Sequence, residues 1–400
     1  MKVLVTGASG LLGGAVAAGL VAQGHDVRTF QRRASGVVGV EEARGSLTDP
    51  RAVEEAVADS EAVVHLAAKV SLAGDPGDFD RVNIDGTRRL LAAASRAGVR
   101  RFVQISSPSV AHAGSSITGD DAEPADPEHA RGDYARTKAR AELLALAADA
   151  PDFAVVAVRP HLVWGPGDTQ LVARIVERAR AGRLPLLGHG QALIDSTYID
   201  NAASAIIAAL GRAEEVHGRS YVVTNGEPRP VAELLAGICR ASGVEPPRWS
   251  VPASVARVAG SLVERIWAVR PGTDEPPMTR FLAEQLSTAH WFDQRRTRAD
   301  LHWTPPSPST RASAASPPPS RRPTSREMSR DRVTRTRHRS VPAHLVRLVR
   351  SRGGQRSRAR SASGSGVPPC IERAPRPADA VPGHLATFRG GRGARISRRG

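Results

Sequence analysis

Three glycines spaced three apart, in the stretch VLVTGASGLLGG, constrain this chain more than any other feature. KVLVTG reads as a strand, and Leu11 to Gln23 repeats its apolar residues at helical spacing. Gly7, Gly10 and Gly13 fall at the junction. A glycine at 7 permits a tight turn, one at 10 lets backbone N–H groups approach a pyrophosphate, and one at 13 lets helix and strand pack closely. The spacing is G-x-x-G-x-x-G, not G-x-G-x-x-G, and a glycine-rich turn without a ligand is the competing reading. Position directly after the first strand of an alternating pattern favours the dinucleotide loop.

The alternation continues for another 150 residues. HDVRTF reads as a strand, RAVEEAVADS as a helix, AVVHLAA as a strand, 80–97 as a helix, RFVQISS as a strand, 133–149 as a helix and FAVVAVRP as a strand. Strands separated by helices predict a parallel sheet covered on both faces, and right-handed crossovers make it a Rossmann-type, doubly wound α/β fold. Beyond Arg159 the pattern loosens, with helices expected near 169–182, 200–211, 231–242, 253–266 and 277–287. A late strand, SYVVTNG, is expected to rejoin the sheet near 220–225. The resulting division is a dinucleotide-binding domain over 1–165, a smaller, mostly helical substrate lobe over 166–304, and a tail over 305–400.

Charge separates the tail from the rest. The net charge is +16, yet residues 305–400 alone hold 22 Arg, no Lys and 4 acidic residues, which leaves 34 basic against 36 acidic in residues 1–304. A Pro/Ser/Arg-rich segment buries too little apolar surface to offset chain entropy, so the tail is expected to be disordered, with AHLVRLVR its one helix-like piece. Cys239 and Cys370 lie far apart with no C-x-x-C spacing, which argues against a disulfide framework or a zinc site and suits a reducing, cytoplasmic setting. The N-terminus reads as a first strand rather than a signal peptide, and no 18-residue apolar run predicts a membrane span.

DYARTKARAE places Tyr134 four residues before Lys138. With three tyrosines and three lysines in the whole chain, chance produces this pairing about 0.02 times per chain. At i and i+4 on a helix the two share a face. A phenol near its ordinary pKa of about 10 is a poor base at neutral pH, and a neighbouring ammonium is expected to lower it. Arg136, Arg140 and Glu142 read as a solvated face. FVQISSPSVA sets Ser106 and Ser107 at the carboxyl end of a strand.

Taken in order, TGASGLLGG, HLAAKV, NIDGT, ISSPSVA, YARTK and RPHLVWGPGD resemble the extended short-chain dehydrogenase/reductase family, or NAD-dependent epimerase/dehydratase superfamily. The likeness is greatest to its 3β-hydroxysteroid dehydrogenase branch and covers residues 1 to about 304. It implies hydride transfer between a nicotinamide and a carbonyl or carbinol carbon, with Tyr134 as general acid or base, Lys138 on the nicotinamide ribose, and Ser107 holding the substrate oxygen. Ser106 is then a backbone-bonding neighbour. The cofactor residues it implies are Gly7, Ser9, Gly10, Leu11, Leu12, Gly13, Gln31, Arg32, Arg33, Leu66, Ala67, Ala68, Tyr134, Lys138 and Pro160, with no metal. His65 reads as a packing residue and Asn83 as a brace. A neutral Gln31 where NAD-binding chains carry an acid, followed by Arg32 and Arg33, favours NADP over NAD. In the adenine-contacting GSLTD segment Ser46 stands where the family often has an acid, with Asp49 further on.

The expected reaction interconverts a hydroxyl and a ketone on a small apolar substrate, sterol-like, alkyl or polycyclic. The alternative on the same fold is a nucleotide-sugar epimerase or dehydratase. LIDSTYIDNAA, however, puts Ile194 where such enzymes carry an arginine for the substrate diphosphate. His161, Leu162, Val163, Trp164 and Phe281 are candidate pocket walls. SVARVAGSLVERIWAVR is amphipathic and reads as a helix flanking that pocket rather than one lying on a membrane. The resemblance also implies a homodimer through the helices at 80–97 and 133–149. Two further classes stand beside the enzyme: a catalytically inactive cofactor-binding protein, and a protein holding nucleic acid non-specifically through the tail. The tail contains no recognisable base-reading motif. Where relatives read a glycine at the position of His302 and continue into a final helix, this chain turns into arginine-rich text, as a frameshift around 301–306 in GC-rich coding DNA would produce.

Overall fold

A computed structural model of the chain describes residues 1–71, 74–111, 115–269, 283–284 and 286–306. Alternate residues of the first apolar run serve opposite faces of a sheet. Val3 and Val5 pack with Val16, Leu20, Val103 and Ile206, while Leu4 packs with Phe30, Val63, Leu90 and Phe102. Both faces are therefore buried, as a parallel sheet requires. Its seven strands are β1 (Lys2–Thr6), β2 (Asp26–Gln31), β3 (Glu41–Arg44), β4 (Ala62–His65), β5 (Arg101–Ile105), β7 (Ala154–Pro160) and β12 (Arg219–Val223). They run in the order β12-β7-β5-β4-β1-β2-β3, every neighbouring pair parallel.

Helices α1 (Leu11–Ala22) and α7 (Ile199–Gly211) lie against one face. Helices α2 (Pro50–Val57), α4 (Gly86–Arg96) and α5 (Gly132–Ala147) lie against the other. The chain winds outward from β1 to β3, then returns to start the other half with β4. The ends of β1 and β4 thus flank the switch point, where doubly wound sheets open a crevice.

The helix expected over 80–97 is interrupted. A short α3 (Pro76–Phe79) leads into a π-helical turn, Asp80–Asp85, before α4 begins. A second sheet, which the hydropathy pattern does not announce, draws one strand from residues 117–120 and three from beyond residue 166. Strands β6 (Ile117–Asp120), β10 (Leu193–Ile194), β13 (Arg229–Pro230) and β15 (His290–Phe292) join in the order β13-β10-β15-β6. Two small pairs, β8 (Val163–Trp164) with β11 (Thr197–Tyr198) and β9 (Leu186–Leu187) with β14 (Ser250–Val251), complete the strands. Around them pack α6 (Leu171–Arg180) and α9 (Val231–Ala241), sharing a core of Ile175, Val176, Ile194, Leu235 and Ile238. The described residues also form helices α8 (Ala213–Val216), α10 (Ala253–Val269) and α11 (Arg295–Leu301).

Helix α11 brings the chain back to the main sheet, where Leu301 and Trp303 join the core. His302 caps it with φ 47°, in the left-handed region that glycine occupies without strain. Phe281, Cys370, most of the helix expected over 277–287, and the tail from residue 307 lie outside the described residues.

Candidate active site

The crevice between β1 and β4 is shaped by backbone contact. Gly7 has φ 78°, and a Cβ there would lie 2.8 Å from the Ala67 nitrogen. A Cβ on Gly13 would lie 2.4 Å from the Gly7 carbonyl oxygen. Both positions are closed to any side chain. Gly10 is different: the nearest atom to its missing Cβ is the Gly7 oxygen at an ordinary 3.4 Å, so its exposed surface is left open. Gly10 also caps α1, whose first turn carries no side-chain cap and no acid. Free N–H groups and the positive end of the helix dipole therefore face the crevice, and these suit a pyrophosphate. Ser9 and Leu11 are exposed beside it, and the partly buried Leu12 packs against Trp164.

The loop after β4 is tied to this turn by one threonine. Thr6 Oγ1 accepts from the N–H groups of Leu66 and Ala67, each at 3.1 Å. With its lone pairs occupied, its own proton goes to His65 Nδ1 at 2.7 Å. His65 then carries its proton on Nε2 and donates to Thr87 Oγ1 at 2.9 Å, and Thr87 donates to the Asn83 carbonyl at 2.7 Å. Asn83 receives the Lys69 N–H on Oδ1 (2.7 Å) and donates Nδ2–H to Thr137 Oγ1 on α5 (3.0 Å). His65 is fully buried, and burial, reinforced by the Lys138 ammonium, pushes its pKa down to about 3. It is a neutral link in a chain from the glycine turn to α5, more than the packing residue its sequence suggests. Asn83 braces the loop after β4 and α5.

The serine, tyrosine and lysine come together at the carboxyl end of β5. Ser107 follows the strand and accepts the N–H of Ser109 (3.3 Å) at the head of a single 3-10 turn, Pro108–Val110. Tyr134, on the first turn of α5, lies beside Ser107. Lys138, one turn on and 4% exposed, donates Nζ–H to the Ile105 carbonyl. Burial lowers the Lys138 ammonium to about 8, against an opposing pull from Glu142. Burial also raises the Tyr134 phenol to about 12, while the Ser107 hydrogen bond acts the other way. Desolvation dominates at Tyr134, and the Lys138 ammonium is turned to the strand carbonyl. Ser106 bonds through its backbone N–H to Val158, and its buried hydroxyl finds no partner among the described residues.

Glu142 requires a correction. It is fully buried rather than part of a solvated face, because the next turn of α5 meets β7. Arg159 Nε and Nη2 reach its two carboxylate oxygens at 2.5 to 3.2 Å, and Ser220 adds a third donor at 2.9 Å. Arg136 is partly buried between Asp80 and Asp133. Only Arg140 is an exposed side chain as read from sequence. The buried pair was legible only as a charge four residues beyond Lys138, since its partner lies on another element.

At the end of β2, Gln31 is 5% exposed; its Nε2 donates to Thr29 (3.2 Å), and its Oε1 has no partner among the described residues. A buried amide oxygen without a donor fits a cofactor hydroxyl. Arg32 and Arg33 are exposed. Ala67 and Ala68 flank the crevice after β4, and Pro160 ends β7.

The proposed pocket walls divide. His161 is buried, held by Nδ1 to the Asp195 carbonyl (2.8 Å) and edge-on to Phe292. Trp164 bonds Ser196 (2.9 Å) and packs on Tyr198. Both serve the core of the lobe, while Leu162, with φ 42°, and Val163 are partly exposed. Ile194 is 2% exposed within that same core. Beside it Asp195 is fully buried, accepting from Thr224 Oγ1 (2.7 Å) and the Glu227 N–H (3.1 Å), and burial raises its carboxyl to about 6. Among the described residues there is no cluster of metal-ligating side chains and no helix long and apolar enough to cross a membrane.

Comparison with known proteins agrees with this architecture. The sequence profile of the NAD dependent epimerase/dehydratase family matches residues 3–224. The chain is 42% identical over 314 residues to a 2-alkyl-3-oxoalkanoate reductase of Stenotrophomonas maltophilia, covering 76% of this chain and 95% of the relative. It is 30% identical over 319 residues to a 3 beta-hydroxysteroid dehydrogenase/Delta 5-->4-isomerase of Mycobacterium tuberculosis, covering 76% and 86%. A crystal structure of a short-chain dehydrogenase/reductase superfamily protein from Agrobacterium tumefaciens with bound NAD superposes with a TM-score of 0.59 at 25% identity, covering 84% of this chain and all of that one.

Proposed function

The chain belongs to the NAD dependent epimerase/dehydratase family, and we propose that within it this protein is a ketoreductase that uses NADP to reduce an apolar ketone. The observation that carries the reading is the meeting of Ser107, Tyr134 and Lys138 at the carboxyl end of β5, with the Tyr134 phenol raised by desolvation. Such a phenol keeps its proton across physiological pH, so it is set to give one up rather than to take one. The ketone oxygen lies between Ser107 and Tyr134, and both hydroxyls donate to it. As negative charge gathers on that oxygen, Tyr134 transfers its proton and the product leaves as an alcohol. A nicotinamide, when bound, would supply the hydride that the carbonyl carbon needs. Gly10 and the head of α1 would hold its pyrophosphate and Lys138 its ribose, with Ala67 and Ala68 leaving room along its length.

The substrate class follows from Ile194. An apolar side chain in the lobe core offers no clamp for a sugar-nucleotide diphosphate. A 2-alkyl-3-oxoalkanoate is the reading supported by the 42% identical reductase. Arg32 and Arg33, with no carboxylate at Gln31, support NADP. A shallow groove of about 340 Å³ between α4 and α5, lined by Ile84, Arg88, Arg140, Leu143, Leu144 and Ala147, supports a homodimer through these helices. A cytoplasmic setting suits the free, buried thiol of Cys239.

The test is NADPH oxidation with a panel of 2-alkyl-3-oxoalkanoates, alkyl ketones and 3-oxosteroids beside UDP-sugars. Reduction within the ketone panel, abolished by Tyr134→Phe with NADPH binding retained, is the expected result. Epimerisation of a UDP-sugar without ketone reduction overturns it, as does full activity in Tyr134→Phe.

A further inference from the structure

Ser107 sits at a junction of three hydroxyl groups, and the direction of each proton follows from counting lone pairs. A serine oxygen accepts two hydrogen bonds and donates one. The backbone N–H of Ser109 reaches Ser107 Oγ at 3.3 Å, and the Ser109 hydroxyl donates to the same atom at 3.0 Å. Both lone pairs of Ser107 are thereby occupied. Its single proton is left for the remaining neighbour, the Tyr134 phenol, or for a substrate oxygen arriving between them.

We propose that Ser109 is a positioning residue that makes Ser107 a dedicated hydrogen-bond donor, so that the site selects a carbonyl oxygen. The geometry that enforces this is local and stiff. Pro108 fixes the backbone between the two serines at the first position of the 3-10 turn, and Val110, fully buried, anchors the end of that turn. Ser109 itself is partly buried, and both its backbone N–H and its hydroxyl reach Ser107. With Ser107 donating and Tyr134 also carrying a proton, two O–H groups converge on one point. A ketone oxygen has two lone pairs and satisfies both; an alcohol oxygen also accepts both, but its own proton then finds no free acceptor on Ser107, whose lone pairs are taken. This deepens the ketoreductase reading and rests on it.

The experiment compares Ser109→Ala, Ser109→Thr, Ser107→Ala and the double variant Ser107→Ala/Ser109→Ala. Loss of one orienting hydrogen bond is expected to lower kcat for the ketone about 3- to 10-fold in Ser109→Ala. The KM for NADPH should stay within about twofold, since Ser109 touches none of the cofactor loops. Ser109→Thr, which keeps the hydroxyl, should recover most of the rate, and Ser109→Ala should add no further loss once Ser107 is gone. Equal losses in Ala and Thr, or an undiminished loss in the Ser107→Ala background, overturn the proposal.

Neutron diffraction from deuterium-exchanged crystals provides a reading independent of turnover. A deuteron on Ser109 directed at Ser107 supports the assignment, and one on Ser107 directed at Ser109 overturns it. Should the wild-type chain reduce no ketone, the proposed function falls, and the neutron map still decides the role of Ser109.

Discussion

Acid should loosen this fold through one buried ring. His65 is held neutral between Thr6 and Thr87, with its pKa pushed from an ordinary 6.5 down to about 3. Because the folded value is the lower one, the unfolded chain takes up the proton first. The contribution of His65 is therefore complete above about 6.5 and is lost as pH falls from there toward 3. Linkage makes the loss on the order of 3 kcal/mol at pH 4.5 and close to zero at pH 7.5. His65→Asn keeps an acceptor for Thr6 and removes the titrating ring. It should cost about 1–3 kcal/mol at neutral pH, because Thr87 loses a donor in a dry site. The decisive quantity is the difference in unfolding free energy between pH 7.5 and 4.5, measured by urea titration for both proteins. Carboxylates titrate alike in the two, so subtraction isolates the histidine. At a slope of about 3 kcal/mol/M, the wild-type urea midpoint should fall about 1 M further than that of the variant. Equal shifts would refute the assignment of His65 as a neutral, buried link.

Gly13→Ala places a Cβ 2.4 Å from the Gly7 oxygen, so the turn must move, and NADPH affinity should fall at least roughly tenfold by calorimetry. Replacing Arg32 and Arg33 together by Ala should weaken NADPH about 10- to 100-fold and leave NADH nearly unchanged; equal effects on both cofactors would exclude a 2′-phosphate contact. Arg159→Ala abandons the buried Glu142 carboxylate and should cost about 3–5 kcal/mol in urea unfolding, much of it recovered when Glu142→Gln and Arg159→Met are combined. His302→Gly relieves the left-handed cap of α11 and should raise stability by about 0.5–1 kcal/mol; a loss would show that the imidazole makes a compensating contact.

The central sheet was readable because its inner strands are long, apolar and regularly separated by helices. Strand β3, with the sequence EEAR, escaped notice: it lies at the sheet edge, where charges are tolerated and Glu41 pairs with Arg28. The small sheet of the lobe was invisible for another reason. Its strands are two to four residues long and come from residues 117, 193, 229 and 290 onward, so no local periodicity announces them. The same limit applied to side chains. Ser107, Tyr134 and Lys138 could be read from a motif, since each lies beside its own signal. Glu142 could not, because what keeps a carboxylate inside is an arginine on a distant strand. The hydroxyls of Thr6, Thr87 and Thr137 are ordinary in sequence and acquire their function only where β4, the π-helical turn and α5 meet.

The side-chain hydrogen bonds from Thr6 to Thr137 run through β1, β4 and α5, whereas β2 meets the glycine turn through its backbone, the Gly7 N–H reaching the Phe30 carbonyl at 2.9 Å, and the Gln31 side chain bonds Thr29. The side chains at the adenine end of the crevice therefore stand outside the side-chain line that reaches the reacting end. Coenzyme preference can drift, or be rewritten at residues 31–33, without disturbing the alignment of Ser107, Tyr134 and Lys138. A change at Thr6, His65 or Asn83 has no such freedom, because it shifts the cofactor loop and the proton donor together.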